Sequence, residues 1–314
     1  QMLRFLDSET VDAELEMIDY QGPGKIMSIS KGRIDELERN SNNRVRVSTR
    51  FDSILIYDLV GTHRDSQWSI GSAVIRELDL NIRQIKERPL CDGRDPCIQK
   101  VMSIFLMDLP VRDSLFVDGH LDFKHLSSGS LESHLWLNEF QGQFKYSRNE
   151  ENLESESNHC RVQIKAVLND GVKTNLEGRF GSEENFNYEI CTAPFTMSTL
   201  NSVIPNQNDF SVKIEDGSCQ HFCMNVSGVG RQSVANFDIQ YEGLDIELIG
   251  AKRFKGRALK MALPLMTNES FDSKEKSIVH EESFAKDRTF FYQMGQHVNF
   301  GFKNAIVKSW VRRD

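Results

Sequence analysis

Cys219, His221 and Cys223 form the first group of residues in this sequence whose types and spacing could do chemistry. They are two residues apart, so on a regular strand their side chains share one face and could offer ligands to zinc. A structural zinc site needs a fourth ligand, and the sequence supplies no second pair for it. The alternative, which we favour, is a strand with core cysteines and a polar-tipped histidine.

His120, Asp122 and His125 form a second group, just after Asp118-Gly119. Two imidazoles and a carboxylate can act as general acid and base or bind a metal. A turn followed by the polar start of a strand also explains them, and we favour that interpretation. No nucleophile elbow, zincin helix, kinase motif set or phosphate-binding loop accompanies them. We therefore expect no catalytic residue, no cofactor and no metal, and a protein that is not an enzyme.

The six cysteines are scattered along the chain. Cys91 and Cys97 flank a short loop rich in Gly, Pro and Asp, which could close as a disulfide or remain a reduced turn. Residues 1–19 are acidic and amphipathic, without the apolar core of a secretory signal. Reduced thiols in a cytosolic protein are therefore the expectation. No apolar run is long enough to span a bilayer.

Charge is distributed unevenly along the 314 residues. The whole chain carries a net charge of −8, which does not attract nucleic acid or anionic membrane. Residues 1–40 carry −4, whereas residues 251–314 carry +6. A polyanion could therefore bind the C-terminal part of an acidic protein.

The strongest candidate for a binding site is a basic segment at 252–260. Cations that can contact phosphates surround an aromatic side chain that can stack on a base. These residues are Lys252, Arg253, Phe254, Lys255, Arg257 and Lys260. A second cationic stretch contains Lys303, Lys308, Trp310, Arg312 and Arg313. The alternative is an ordinary solvated surface with long basic side chains.

Alternation of apolar and polar residues predicts strands over much of 134–249. The predicted strands are 134–144, 160–171, 185–190, 209–214 and 235–249, with further strand character at 44–60. Residues 72–87 fit either a helix or a strand, and we favour a helix. Residues 7–19 indicate a short capped helix or a mobile acidic arm. Residues 97–109 fit a buried helix or strand.

The predicted fold is mainly β with a few helices, around an antiparallel, jelly-roll-like β-sandwich or barrel core. We expect an acidic N-terminal arm at 1–22, an α+β region at 23–128, the sandwich core at 129–260 and a basic C-terminal extension at 261–314. Ser127-Ser128-Gly129-Ser130 is the expected hinge before the core.

The order of elements over about 134–260 resembles the 30K superfamily of viral cell-to-cell movement proteins. His134-Leu135 opens the first strand, and the strand that starts at Val162 ends near Asp170. A strand with alternating aromatics follows from Phe186, with Pro194-Phe195 after it. Two further strands and the basic segment complete the order.

The resemblance implies a protein that binds single-stranded nucleic acid without sequence specificity and carries it between cells through plasmodesmata. Its partners would be single-stranded nucleic acid or a viral nucleocapsid, further copies of itself, host transport proteins and the periphery of a membrane. It would lie in the host cytoplasm, at the cell periphery and at plasmodesmata. Asp170 would be a structural family residue, although Asp170-Gly171 equally fits a hairpin turn.

Two other classes of function are open. A viral matrix or capsid-type β protein would use a similar sandwich to assemble at a membrane or around a genome. A hydrolase would act through His120, Asp122 or His125.

Overall fold

The computed structural model describes most of the chain, in separate ranges. These are 3–7, 11–22, 25–36, 45–62, 67–85, 111–127, 130–147, 158–169, 171–181, 184–202, 211–249, 267–274, 277–283 and 290–308.

Sixteen strands and two helices make up these ranges. The strands of the first half are β1 (Leu3–Asp7), β2 (Val11–Gln21), β3 (Ile26–Glu36), β4 (Val45–Tyr57), β5 (Val60–Thr62), β6 (Gln67–Ile85), β7 (Val111–Ser127) and β8 (Ser130–Ser147). Those of the second half are β9 (His159–Leu168), β10 (Val172–Gly181), β11 (Asn185–Thr192), β12 (Phe195–Thr196), β13 (Ser211–Val229), β14 (Gln232–Ile249), β15 (Phe271–Asp272) and β16 (Ile278–Ser283). A 3-10 helix covers Met197–Ser202, and α1 covers Phe290–Ile306.

The strands form one large sheet, which confirms that the protein is mainly β. Their order is β1-β2-β3-β4-β6-β7-β8-β9-β10-β11-β13-β14-β15, with β5, β12 and β16 paired beside this path. The described strands do not close into a barrel. The main strands of the region predicted as the core, from β8 to β14, are paired antiparallel, whereas β6 and β7, which precede it, are parallel. Parallel neighbours need a crossover connection, which adjacent strand patterns in a sequence do not reveal.

The strands place many of their apolar residues on the same side of the sheet. The register aligns one residue from each of twelve strands, all apolar apart from one glycine, in what we call the apolar row. It consists of Ile18, Ile29, Ile54, Ile75, Val117, Gly142, Ile164, Leu176, Ile190, Met224, Phe237 and Ile278. Because side chains alternate along a strand, the neighbouring positions lie on the opposite face, which is largely polar.

The buried core lies where the two helices cover the apolar face. Helix α1 packs on β14 and β16, and the 3-10 helix packs mainly on β13. Phe302 of α1 stacks on Phe222 with 5.0 Å between ring centroids, and Met197 of the 3-10 helix is fully buried. The hydroxyl of Tyr241 donates to the Ala305 carbonyl at 3.0 Å, which ties β14 to the end of α1. Within the described ranges, no helix has the length and apolar content needed to cross a membrane.

The predicted helix at 72–87 is strand β6, so that prediction was wrong. Glu77 has a positive φ of 51°, which marks a β-bulge. The bulge adds one residue to β6 relative to β7, so Ile75 and Leu78, three residues apart, pair with Val117 and Gly119, two residues apart. Apolar residues at 75, 78 and 82 therefore look helical in the sequence although they share one face of a strand.

The helix or mobile arm predicted at 7–19 is also wrong. Residues 11–21 form β2, which pairs with β1 on one side and with β3 on the other. Lys31 of β3 has a positive φ of 44° at the level where Leu15 and Ile18 of β2 meet their partners. The three-residue step between Leu15 and Ile18 imitates a helical period, although both residues lie in one strand that keeps a single register with β3.

The expected hinge at 127–130 joins two paired strands. β7 and β8 pair up to Ser127 and Ser130, so the sheet runs continuously past this point. The other domain boundaries stay predictions.

Gly301 offers a test of how closely α1 packs on the sheet. A Cβ at this buried position would overlap the ring of Phe237 on β14. Overpacking of this kind costs about 1–3 kcal/mol. We expect Gly301→Ala to lower the free energy of unfolding, measured by urea denaturation. In Gly295→Ala, on the exposed side of α1, the new Cβ meets no atom within 4 Å. This control should gain up to about 1 kcal/mol from helix propensity. Equal effects of the two changes would contradict the packing.

Candidate functional site

A shallow groove lies on the polar face of the sheet, across β8, β9, β10, β11, β13 and β14. Its volume is about 740 Å³. It arises because these strands expose alternate polar residues, while the intervening ones point into the core on the other face. In β9, for example, Arg161, Gln163 and Lys165 are exposed while Val162 and Ala166 are buried.

Three cations stand side by side in this groove. Lys145 of β8 is directly opposite Arg161 of β9, and Arg161 is directly opposite Arg179 of β10. We call these residues the cation row. Like charges placed directly opposite each other destabilise a sheet by about 0.2–1 kcal/mol for each pair. Within the described ranges none of the three forms an ion pair with a carboxylate, although Arg179 lies 3.2 Å from the His159 ring.

The next row of the groove combines amides and carboxylates, and we call it the amide row. It consists of Gln143, Gln163, Glu177, Glu189, Asn225 and Asn236, in register on six strands. Asn175 donates to Glu177 at 3.2 Å and Asn225 donates to Glu189 at 2.9 Å. The amides hold these two carboxylates in hydrogen bonds, and neither acid forms an ion pair with the cation row in the described ranges.

A disulfide joins Cys191 and Cys223 at the next level of the same face. The two residues are directly opposite each other on β11 and β13. The prediction of reduced thiols was therefore wrong for this pair. Their separation of 32 residues gives no sign of the pairing until the register is known. Cys160 and Cys219 are buried and do not belong to this disulfide.

The zinc hypothesis for Cys219, His221 and Cys223 loses its geometric basis. The register of β13 shifts between Cys219 and His221, which marks a bulge. Cys219 is fully buried, while His221 lies 3.2 Å from Asp238 and Cys223 is in the disulfide. Burial raises the pKa of the Cys219 thiol to about 11. The expected shared face is wrong, and no metal-binding cluster occurs among the residues that the structure describes.

Asp122 binds a histidine that sequence spacing did not suggest. Its carboxylate lies 2.6 Å from His134 on β8 and 2.6 Å from Lys124. Burial alone raises the pKa of Asp122, but the hydrogen bonds from Lys124 and His134 outweigh it and the pKa is lowered. His120 sits beside Asp79 in the sheet, and His125 pairs with Gln84 along the backbone. The hydrogen bonds of Asp122 go to Lys124 and His134 and not to His120, and the side chain of His125 lies outside the described residues.

A buried polar network links α1 to the sheet. His297 of α1 lies 2.8 Å from Ser233 Oγ and, through Nδ1, 2.8 Å from Nδ1 of His280 on β16. His280 in turn lies 3.2 Å from Glu282. One proton fits between the two Nδ1 atoms, so the rings cannot both be charged without two N–H groups facing each other. Burial and the neighbouring His280 lower the pKa of His297 to about 4.

Several predicted site residues lie outside the described residues. They are the whole basic segment (Lys252, Arg253, Phe254, Lys255, Arg257 and Lys260), Asp170, Cys91, Cys97, the stretch 97–109, Trp310, Arg312 and Arg313. Lys303 is exposed near the end of α1, and Lys308 follows the helix.

Comparison with known proteins identifies no relative of this chain. No protein-family model, no curated protein and no solved structure matches this chain. The resemblance to viral movement proteins therefore stays a prediction, and the function has to be argued from the geometry.

The cation row is the main feature that the sequence did not show. Lys145, Arg161 and Arg179 lie in three different segments, and each is an ordinary polar position of an alternating strand. Only the register places them side by side. The sequence did indicate that these residues occupy outward positions of their strands. It did not show that the three positions align, because that requires knowing which strands pair and in which register.

The buried histidine network makes stability depend on pH. An unfolded His297 has a pKa of about 6.5, above its value in the fold, so the unfolded chain binds the proton more strongly. Stability should therefore fall as the pH drops from about 6.5 to about 4, by up to about 3 kcal/mol from this group. Urea denaturation at a series of pH values measures the effect.

His297→Gln is the informative variant for this network. It should be less stable than the parent at pH 7, because a buried hydrogen-bond network is disturbed. Between pH 7 and pH 4, the free energy of unfolding of the variant should nevertheless change less than that of the parent protein. An unchanged pH dependence in the variant would show that other groups cause it.

Proposed function

We propose that this chain is a non-enzymatic binding protein whose polar sheet face holds the phosphates of a single-stranded nucleic acid. The observation that supports this is the cation row. Lys145, Arg161 and Arg179 are exposed, in register and without a carboxylate partner in the described ranges. An anion that lies along the row relieves the repulsion between the three cations. The repulsion destabilises the free sheet, and its relief favours the bound state.

The dimensions of the groove suit an extended polyanion. Neighbouring strands are about 4.8 Å apart, so the three cations span roughly 10 Å across the strands. Arginine binds phosphate through two parallel N–H groups, and lysine binds it as a point charge. The amide row runs alongside and offers hydrogen bonds to sugar and base. Such contacts do not require a particular sequence.

The basic segment at 252–260 is proposed as a second contact. The chain enters it from the end of β14, whose last residue is Ile249. Asn236, the β14 member of the amide row, lies thirteen residues earlier, which is roughly 43 Å along a strand. The two basic elements would thus contact different parts of one long nucleic acid, and Phe254 would add stacking.

Transport of a viral genome between cells is the proposed biological setting. In that setting the chain binds single-stranded nucleic acid or a nucleocapsid, associates with itself and with host transport proteins, and contacts membrane peripherally at plasmodesmata. The cytoplasm is reducing. The Cys191–Cys223 disulfide would therefore have to resist reduction there, or the two cysteines would have to stay as thiols. The redox state of this pair in cell extracts therefore bears directly on the proposed location.

A viral matrix or capsid-type role is the second candidate. It is favoured by the part of the apolar face that lies away from α1, since assembling proteins present such surfaces to each other. The jelly-roll arrangement is also a proposal, because it requires a second layer over the single open sheet. A matrix protein would assemble on anionic liposomes in the absence of RNA.

Neutralising the cation row should weaken nucleic-acid binding. We expect Lys145→Gln/Arg161→Gln/Arg179→Gln to reduce affinity for a single-stranded RNA by at least about tenfold at low salt. The slope of log K against log salt should become shallower by up to about 2, because each neutralised phosphate accounts for about 0.7 of the slope. Fluorescence anisotropy with a labelled oligonucleotide measures both quantities.

Lys31 and Lys213 supply the matched control for this variant. Both are exposed and each pairs with a glutamate, at 3.5 Å for Lys31–Glu16 and 2.8 Å for Lys213–Glu215. Lys31→Gln/Lys213→Gln should leave the salt slope almost unchanged. Equal decreases in affinity for the two variants would show that net charge alone explains the effect. The groove would then not be the binding site. Tighter binding of a sulfated polysaccharide than of RNA would assign the groove to a different polyanion.

The basic segment has its own test. Neutralising Lys252, Arg253 and Lys255 to Gln should weaken RNA binding and lower the salt slope, because the segment would then neutralise fewer phosphates. Its effect should add to that of the cation-row variant if the two elements bind separate stretches of RNA. Unchanged affinity and slope would show that the segment does not bind.

A further inference from the structure

An aromatic side chain, Phe116 of β7, lies on the same face of the sheet as the groove. Val117 belongs to the apolar row on the other face, and successive side chains of a strand alternate between the faces. Phe116 is directly opposite Gln143, the β8 member of the amide row. The amide row therefore continues onto β7 with an aromatic ring in place of an amide.

Arg76 of β6 lies over the ring of Phe116. The Cζ atom of its guanidinium is 4.9 Å from the ring centroid, which is the distance of a cation–π contact. Asp118 fixes this position, because Nη1 of Arg76 donates a hydrogen bond to Oδ2 of the carboxylate. The other oxygen, Oδ1, accepts a hydrogen bond of 2.8 Å from the backbone N–H of Glu77 at the bulge of β6. The bulge thus holds Asp118, and Asp118 holds the guanidinium over the ring.

The Arg76–Phe116 pair offers a flat surface that can receive a nucleobase. The side chain of Arg76 is 50% exposed, and Phe116 is half-buried. Unpaired bases stack on the planes of arginine guanidinium groups and on aromatic rings. Because the guanidinium is already held in one orientation, stacking a base on it loses less side-chain entropy than stacking on a free arginine.

The pair also lies at a suitable distance from the cation row. Lys145 is directly opposite Ser114, two residues before Phe116 on β7. Diagonal neighbours of this kind lie roughly 7–8 Å apart. A base is separated from its phosphate by one sugar, so a nucleotide whose phosphate contacts Lys145 can bring its base to the pair. Gln143, directly opposite Phe116, can donate to and accept hydrogen bonds from the edge of the same base.

We infer that Arg76 and Phe116 form a subsite that stacks one unpaired base of the nucleic acid whose phosphates contact the cation row. The inference rests on the proposed function and deepens it, since the cation row contacts only the backbone of the polymer. A base inside a duplex is stacked and paired already, so the subsite favours single strands over duplexes.

The test compares two ligands of equal length and charge by fluorescence anisotropy. One is a single-stranded RNA, and the other is the same backbone built from abasic nucleotides. Arg76→Lys keeps the positive charge but removes the planar group. It should weaken binding of the RNA by at least about fivefold, which corresponds to the smallest contribution of a stacked base. It should leave binding of the abasic strand almost unchanged.

Two further variants and a spectroscopic probe complete the test. Phe116→Leu should reproduce the pattern of Arg76→Lys, because the guanidinium loses the ring on which it lies. Arg83→Lys is the matched control, since Arg83 is an exposed arginine on the same strand, directly opposite Lys124. It should leave both affinities unchanged. Single-stranded RNA that contains 2-aminopurine should lose fluorescence on binding to the parent, because stacking quenches this base, and should lose less with Arg76→Lys.

The outcomes separate the subsite from the proposed function. If Arg76→Lys weakened both ligands equally, the contact would be to the backbone, and the base subsite would be wrong. It would also be wrong if RNA binding depended on the cation row but was unaffected by Arg76→Lys, although the proposed function would then stand. If neutralising the cation row had no effect on RNA binding, the proposed function would fail and the subsite with it.

Discussion

The register of the antiparallel ladders decides which side chains of this protein meet. A sheet shifted by one residue at any strand would place that strand's apolar residues among the polar ones. The apolar row from Ile18 to Ile278 passes through twelve strands without such a shift. The same alignment puts Lys145 beside Arg161 and Arg179, and Cys191 beside Cys223. The buried core, the candidate groove and the disulfide therefore share one cause.

Bulges are what preserve this arrangement over strands of up to 19 residues. Glu77 and Glu139 each adopt a positive φ where the register of their strand shifts against a neighbour. A non-glycine residue in this conformation costs about 1–2 kcal/mol. The burial of apolar side chains on both sides of each bulge offsets that cost, since one buried isoleucine or leucine contributes about 1.5–3 kcal/mol.

The same bulges explain which parts of the fold the sequence could predict. Residues 160–168 and 185–190 alternate cleanly, so their strands were predicted correctly. At 72–87 a bulge interrupts the period, and a helix was predicted in error. At 219–223 a bulge removes the shared face that the spacing of Cys219, His221 and Cys223 suggested. Neither the parallel pairing of β6 with β7 nor the cation row could be predicted. Both depend on which strands become neighbours, and that is set by contacts far apart in the chain.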